Sequence, residues 1–175
     1  RAMGASCIYM TDKIPERLAV AASAGACFTG NPDRQDIVKL ILQREPAGLD
    51  AVFECCGDQQ AVDQAISLLK SGGKLVLVGI PEVERISFII DRIRRKEICI
   101  QNIRRQCKCL ESTLLSLEHG MLNVDFFVTH RFNFDRTKEA FDLVADYRDG
   151  VVKAMIHFDE QALKKLQNTH SLKNL

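Results

Sequence analysis

Short apolar, β-prone runs and amphipathic helical stripes succeed one another along this chain, and the turns between them carry glycine or proline. Pro15 opens a stripe through Glu16-Arg17-Leu18-Ala19-Val20 that Gly25 stops, and Cys27-Phe28-Thr29 is extended. Asn31-Pro32-Asp33 turns into a second stripe at Ile37, Leu40 and Ile41. Gly48 releases the chain into Ala51-Val52-Phe53-Glu54, and a third stripe places Val62, Ala65, Ile66 and Leu69 on one helical face. Ser71-Gly72-Gly73 leads into Lys74-Leu75-Val76-Leu77-Val78-Gly79, and a helix is predicted over 88–96. Ile98-Cys99-Ile100-Gln101-Asn102 is again strand-like, and Leu110, Leu114 and Leu117 mark a helix ending near Gly120. Strands each followed by a helix and a short connection predict βαβ units and a doubly wound, parallel α/β sheet.

In such a sheet, ligands bind beyond the carboxyl ends of the strands. Ser6 to Asp12 fits that scheme as a short apolar strand, expected to be buried on both faces, that ends in a single acid. A carboxylate there can accept hydrogen bonds from both ribose hydroxyls of an adenine dinucleotide and repels a 2′-phosphate, so Asp12 favours NAD over NADP. The other reading of Asp12 is a cap on the helix that follows. Ahead of it, Arg1-Ala2-Met3-Gly4-Ala5 resembles the last turn of a helix stopped by Gly4, so the chain is expected to begin within an element.

From Val124 the character changes. Phe126 to Phe132 is extended, and Ala140, Phe141, Val144 and Tyr147 mark a helix expected to end at Gly150. Val152 to Phe158 alternates like a strand with one solvated face, antiparallel in character. With 24 Lys plus Arg against 23 Asp plus Glu, the net charge of +1 exerts no pull toward nucleic acid or membrane surfaces; Arg92, Arg94, Arg95 and Lys96 read as a solvated helix face. Seven cysteines, none in Cys-x-x-Cys spacing and several within apolar runs, read as reduced core thiols and hence a cytoplasmic protein. The adjacent Cys55 and Cys56 are awkwardly placed for a disulfide. Cys107-Lys108-Cys109 has no histidine or second cysteine pair at ligand spacing, so no metal is predicted. The absence of a membrane-length apolar run or a signal-peptide pattern adds the expectation of solubility.

Thr11-Asp12 followed by Arg17-Leu18, Phe53-Glu54-Cys55-Cys56-Gly57, Ser71 to Gly79, Lys96-Glu97-Ile98 and Val128-Thr129-His130-Arg131-Phe132 stand in a characteristic order and spacing. That order resembles the zinc-containing medium-chain dehydrogenases, and within them the polyol branch of sorbitol, xylitol and threonine dehydrogenases, from Arg1 to about Asp159. The resemblance implies a Rossmann-type NAD-binding domain over residues 1–123, lacking its first strand and its Gly-rich pyrophosphate loop. Residues 124–159 would be a return segment completing the catalytic, GroES-like domain, and 160–175 a tail with a weak helical stretch around Ala162 to Leu166. Asp12 would hold the adenosine ribose with Arg17 beside the adenine end. Val78, Gly79 and Ile80 would run along the nicotinamide, and Ile103, Arg104 and Arg105 would form a second nicotinamide-side stretch. The polyol branch reads Val-Phe-Arg-Tyr there; this chain keeps the arginine as Arg105, replaces the phenylalanine by Arg104 and the tyrosine by Gln106. Arg105 and Gln106 would then face the substrate. The exchange suits either a more polar, anionic substrate or an Arg104 turned to solvent. His130 falls on the return strand, where a hydrogen-bonded structural role is expected rather than acid or base chemistry.

By the same resemblance, the ligands of the catalytic zinc and the four-cysteine structural lobe belong to an N-terminal domain outside this chain, so no catalytic residue is expected here. The implied function is that of the NAD-binding C-terminal portion of a zinc-dependent alcohol or polyol dehydrogenase, which oxidises a secondary alcohol by hydride transfer to NAD. A homo-oligomeric parent, dimer or tetramer, is implied, with a small-molecule alcohol as partner and neither nucleic acid nor membrane. The alternatives are a non-catalytic NAD-binding module and a zinc-free NADPH reductase relative, against which Asp12 argues. Residues 1–175 alone are expected to be inactive and neither to fold stably as a monomer nor to bind NAD, because two interior strands would each keep an unpaired edge.

Overall fold

The computed structural model describes residues 2–158; the expected tail over 160–175, with its helical stretch from Ala162 to Leu166, lies outside the described residues. Pro32–His119 make one compact unit, and the stretches before and after it make another.

In the contiguous unit, strands β3 (Leu49–Glu54), β4 (Leu69–Leu77) and β5 (Cys99–Asn102) form a parallel sheet with β4 in the middle. Parallel neighbours need a crossover, supplied by α3 (Gln59–Leu68) between β3 and β4 and by α4 (Ile90–Lys96) between β4 and β5; α2 (Ile37–Arg44) precedes β3. Two aspartates start these helices. Asp36 Oδ1 accepts from Lys39 N at 3.0 Å and Asp58 Oδ1 from Gln60 N at 2.8 Å, each satisfying an amide that a helix's first turn leaves open. The predicted stripe of Val62, Ala65 and Ile66 packs with Leu69, Leu75, Ile93 and Ile98 as the buried core. Lys96, at the end of α4, sends its Nζ to the carbonyls of Ile66, Ser67 and Leu69 at 3.0, 3.0 and 2.7 Å, closing the C-terminus of α3. At the turn into β3, Gly48 has φ +85°, and a Cβ there would lie 2.7 Å from Lys70 N, so the position requires glycine. Helix α5 (Leu110–Glu118) follows β5, with no buried residue.

The other unit holds two further βαβ pieces. β1 (Tyr9–Thr11) pairs in parallel with β2 (Phe28–Gly30) across α1 (Pro15–Ser23), and β6 (Val128–Asn133) pairs with β7 (Lys153–His157) across α6 (Thr137–Ala145). The parallel α/β architecture is therefore present, but β1–β2 and β3–β4–β5 are separate hydrogen-bonded sheets, and no described strand pairs with the second edge of β1 or of β3.

Four expectations are corrected. β1 is not buried on both faces: Tyr9 is half-buried and Met10 and Thr11 are exposed, since its one partner among the described strands, β2, covers an edge rather than a face. β6 and β7 are parallel rather than antiparallel; α6 carries the chain back across the pair, and the period-two burial of both strands is the same in either sense. The last helix stops at Ala145, well before Gly150, where Tyr147 at φ +49° cannot continue it, and of its expected apolar face only Ala140 is buried. The cysteines are not core thiols, and not all of them are reduced. Cys7 and Cys27 form a disulfide, because the parallel register of β1 on β2 brings the residues ahead of each strand to a Cα separation of 5.7 Å, and the other five cysteines are free and exposed.

Candidate functional site

The three strands of the contiguous unit stop level with one another, Glu54 opposite Leu77 and Leu77 opposite Asn102. Beyond that line the loops are laced together by main-chain bonds. Val78 N and Gly79 N both donate to Glu54 O at 2.8 and 2.9 Å, and Ile103 N donates to Leu77 O at 3.0 Å. They enclose a cleft of about 310 Å³ whose walls include Gly79, Ile86, Phe88, Asn102 and Ile103, with Glu54 among its lining residues.

Glu54 is only 4% exposed. Its Oε1 accepts from the amides of Cys56 and Gly57, both at 2.7 Å, and from the Cys56 thiol at 3.0 Å, while its Oε2 has no partner among the described residues. The glycines around it are dictated by this packing. A Cβ at Gly57 would lie 2.6 Å from Ile80 O, and one at Gly79 would lie 2.6 Å from Glu54 Oε2. Gly79 is thus required by the protein's own close approach as well as by any ligand's. Burial pushes the Cys55 and Cys56 thiols above their ordinary pKa, and the neighbouring Glu54 pushes both further.

Of the sequence-predicted residues, Gly79 and Ile103 share this cleft, and Val78 and Ile80 flank Gly79 with 39% and 78% of their surface exposed. Arg104, Arg105 and Gln106 follow Ile103 as an exposed stretch, with Arg105 at φ +48°. Asp12 and Arg17 come together in the other unit. Asp12 Oδ1 accepts from Ile14 N at 2.8 Å and holds the turn into α1, its Oδ2 is 3.8 Å from Arg17 Nη1, and the Arg17 guanidinium lies 4.8 Å over the Tyr147 ring. The turn-holding role of Asp12 is thus seen directly, and its side chain keeps 31% of its surface open. His130 is hydrogen-bonded on both ring nitrogens, to Thr129 Oγ1 at 3.0 Å and Asp149 Oδ2 at 3.2 Å. Glu54 has no role assigned by the sequence pattern; the signal it carries is an acid closing the apolar run Ala51-Val52-Phe53, where a buried charge has to be compensated. Among the described residues no group of three or more His, Cys, Asp or Glu could hold a metal ion, and no helix is long and apolar enough to cross a membrane.

Parallel strands that end level beneath glycine-containing loops define the dinucleotide-binding class of α/β folds. The profile of the zinc-binding dehydrogenases matches residues 1–117, and the chain belongs to that family. It is similar to the sorbitol dehydrogenase of Bacillus subtilis (strain 168), 28% identical over 158 residues that make up 90% of this chain and 45% of the relative. It is also similar to the sorbitol dehydrogenase of Mus musculus, 31% identical over 163 residues, 91% of this chain and 44% of that one. Among solved structures, 2R,3R-butanediol dehydrogenase from Bacillus subtilis superposes with a TM-score of 0.80 at 27% identity, covering 89% of this chain and 45% of that one. An Escherichia coli oxidoreductase of unknown specificity gives 0.81 at 28% identity, with the same coverage. The chain spans about 45% of the length of the first of these relatives and corresponds to the C-terminal portion of a zinc-type medium-chain dehydrogenase.

Proposed function

We propose that this chain is the cofactor-holding C-terminal portion of an alcohol or polyol dehydrogenase that oxidises a secondary alcohol with NAD as the hydride acceptor. The observation that carries this reading is the cleft beyond the level ends of β3, β4 and β5, in a chain of the zinc-binding dehydrogenase family. In the proposal the nicotinamide lies between Val78-Gly79-Ile80 and Ile103-Arg104-Arg105, and the apolar walls at Ile86 and Phe88 exclude water from the ring. The adenosine ribose rests on Asp12, whose carboxylate has acceptor capacity left beyond Ile14 N, with Arg17 beside the adenine. When bound, NAD supplies the electron-accepting ring; the chain's own residues bind and orient it. Arg105 and Gln106 face the alcohol. By the family resemblance the zinc ligands of the proposed parent belong to a domain outside this chain, and no step here runs through the metal.

The proposed parent is a homo-oligomer of cytoplasmic location, a placement supported by five free thiols and opposed by the Cys7–Cys27 pair. Its domain division is 1–123, 124–159 and 160–175. The cofactor assignment is tested by Asp12→Ser in the full-length enzyme, which should narrow the ratio of kcat/KM for NAD over NADP. Equal turnover of both cofactors by the unmodified enzyme would overturn the NAD assignment.

A further inference from the structure

We infer that Glu54 selects the charge state of the cofactor: its buried, unpartnered carboxylate oxygen in the β3–β4–β5 cleft favours the cationic, oxidised nicotinamide over the neutral, reduced one. The inference rests on the proposed placement of the nicotinamide in this cleft.

A carboxylate taken out of water is costly, and a strand end that needs only acceptors for two amides could use a neutral glutamine. Glu54 nonetheless stands there, 4% exposed, with Oε1 taking the Cys56 and Gly57 amides and the Cys56 thiol. Those bonds use one oxygen. Oε2 accepts nothing among the described residues and lies against Gly79, where a Cβ would come within 2.6 Å of it. Glycine at 79 therefore leaves no side chain between this oxygen and the main chain proposed to support the nicotinamide. The other charged residue among the described lining of the cleft is Glu84, exposed and also acidic, while the cations proposed beside the nicotinamide, Arg104 and Arg105, stand on the exposed stretch after Ile103. A negative charge that is buried and has an oxygen without a partner among the described residues attracts a positive ring more strongly than it would in water. The reduced ring carries no charge and gains nothing from it, so the ratio of NAD affinity to NADH affinity is the quantity that Glu54 sets.

The test compares dissociation constants of oxidised NAD, NADH and ADP-ribose for the full-length protein and for Glu54→Gln, which keeps an oxygen for the Cys56 and Gly57 amides and removes the charge. Affinity for oxidised NAD should fall about fivefold or more, while NADH and ADP-ribose stay within about twofold. Glu54→Asp keeps the charge and should retain the unmodified ratio of NAD to NADH affinity within about twofold. Parallel losses for NAD and NADH in Glu54→Gln, an unchanged ratio in that variant, or a ratio altered as much by Glu54→Asp would each overturn the inference and leave Glu54 a structural clamp. An unmodified protein that binds none of the three nucleotides would overturn the site reading itself, and the inference with it.

Discussion

Replacing Lys96 with methionine tests whether a side chain from α4 holds the end of α3. The ammonium donates to three carbonyls, of Ile66, Ser67 and Leu69, all at or just past the last turn of α3, where the helix dipole adds to the attraction. Charge-assisted hydrogen bonds contribute roughly 1.5–3 kcal/mol each. Simple addition overstates the loss, because the site is only part-buried and water can reach some of the freed carbonyls. Methionine also keeps most of the aliphatic stem's packing. The expected destabilisation is about 2–4 kcal/mol. Burial holds the Lys96 pKa below the ordinary lysine value, with the Arg92 charge adding to the effect. Arginine should not rescue the site, since a planar guanidinium cannot aim three donors at carbonyls grouped around one nitrogen. Equilibrium urea denaturation of the full-length protein gives the magnitude, and hydrogen exchange at the amides of α3 gives the location. A change below about 0.5 kcal/mol, within the range of ordinary surface substitutions, would refute the reasoning.

Arg105→Ala in the full-length enzyme should lower kcat/KM for the alcohol and leave cofactor affinity nearly intact; a loss confined to NAD binding would move Arg105 to the cofactor site. Because burial raises the Cys55 and Cys56 pKa values, iodoacetamide at pH 8 should alkylate them more slowly than free cysteine, as peptide mapping would show. With their folded pKa values above the unfolded ones, the stability these thiols contribute is complete below the unfolded thiol pKa and is lost as pH rises through the folded values. The 175-residue chain alone should show no cooperative melt whose midpoint rises with NAD. Unmatched groups on the open edges of β1 and β3 cost about 1–3 kcal/mol each against a typical net stability of roughly 5–15 kcal/mol, and calorimetry decides.

The contiguous unit was readable because its signals are local. Helical periodicity in 59–69 and an apolar run at 75–78 between Gly73-Lys74 and Gly79 each have one comfortable arrangement, and both contribute to the core of Val62, Ile66 and Leu75. The remainder depended on partners that sequence does not name. An apolar composition suggests a buried β1, yet what packs on a strand decides its burial, and among the described strands only β2 pairs with it. Period-two alternation in β7 reports a half-buried face and is silent about strand direction, which α6 decided. The Cys7–Cys27 pairing follows from parallel register, a relation between residues twenty positions apart. Gly79 and Ile103, named from the family pattern, line one and the same cleft. Glu54 stands out only in the packing, through one oxygen with no partner among the described residues, a property that no spacing encodes.

The division of the chain also sets an order of assembly. Pro32–His119 is uninterrupted in sequence, so all of its own residues have been made once His119 leaves the ribosome. The other unit cannot close then. Glu16 of α1 packs against Gly150, where a Cβ would meet its Cγ at 2.8 Å, and Arg17 waits for Tyr147. During synthesis Arg17 therefore precedes the Tyr147 ring it lies over by more than a hundred residues, while Asp12 meets its own partners, Ile14, Arg17 and Gly30, at once. Truncation after His119 would leave α1 without Tyr147 and Gly150 while the three-stranded sheet kept every element it is built from.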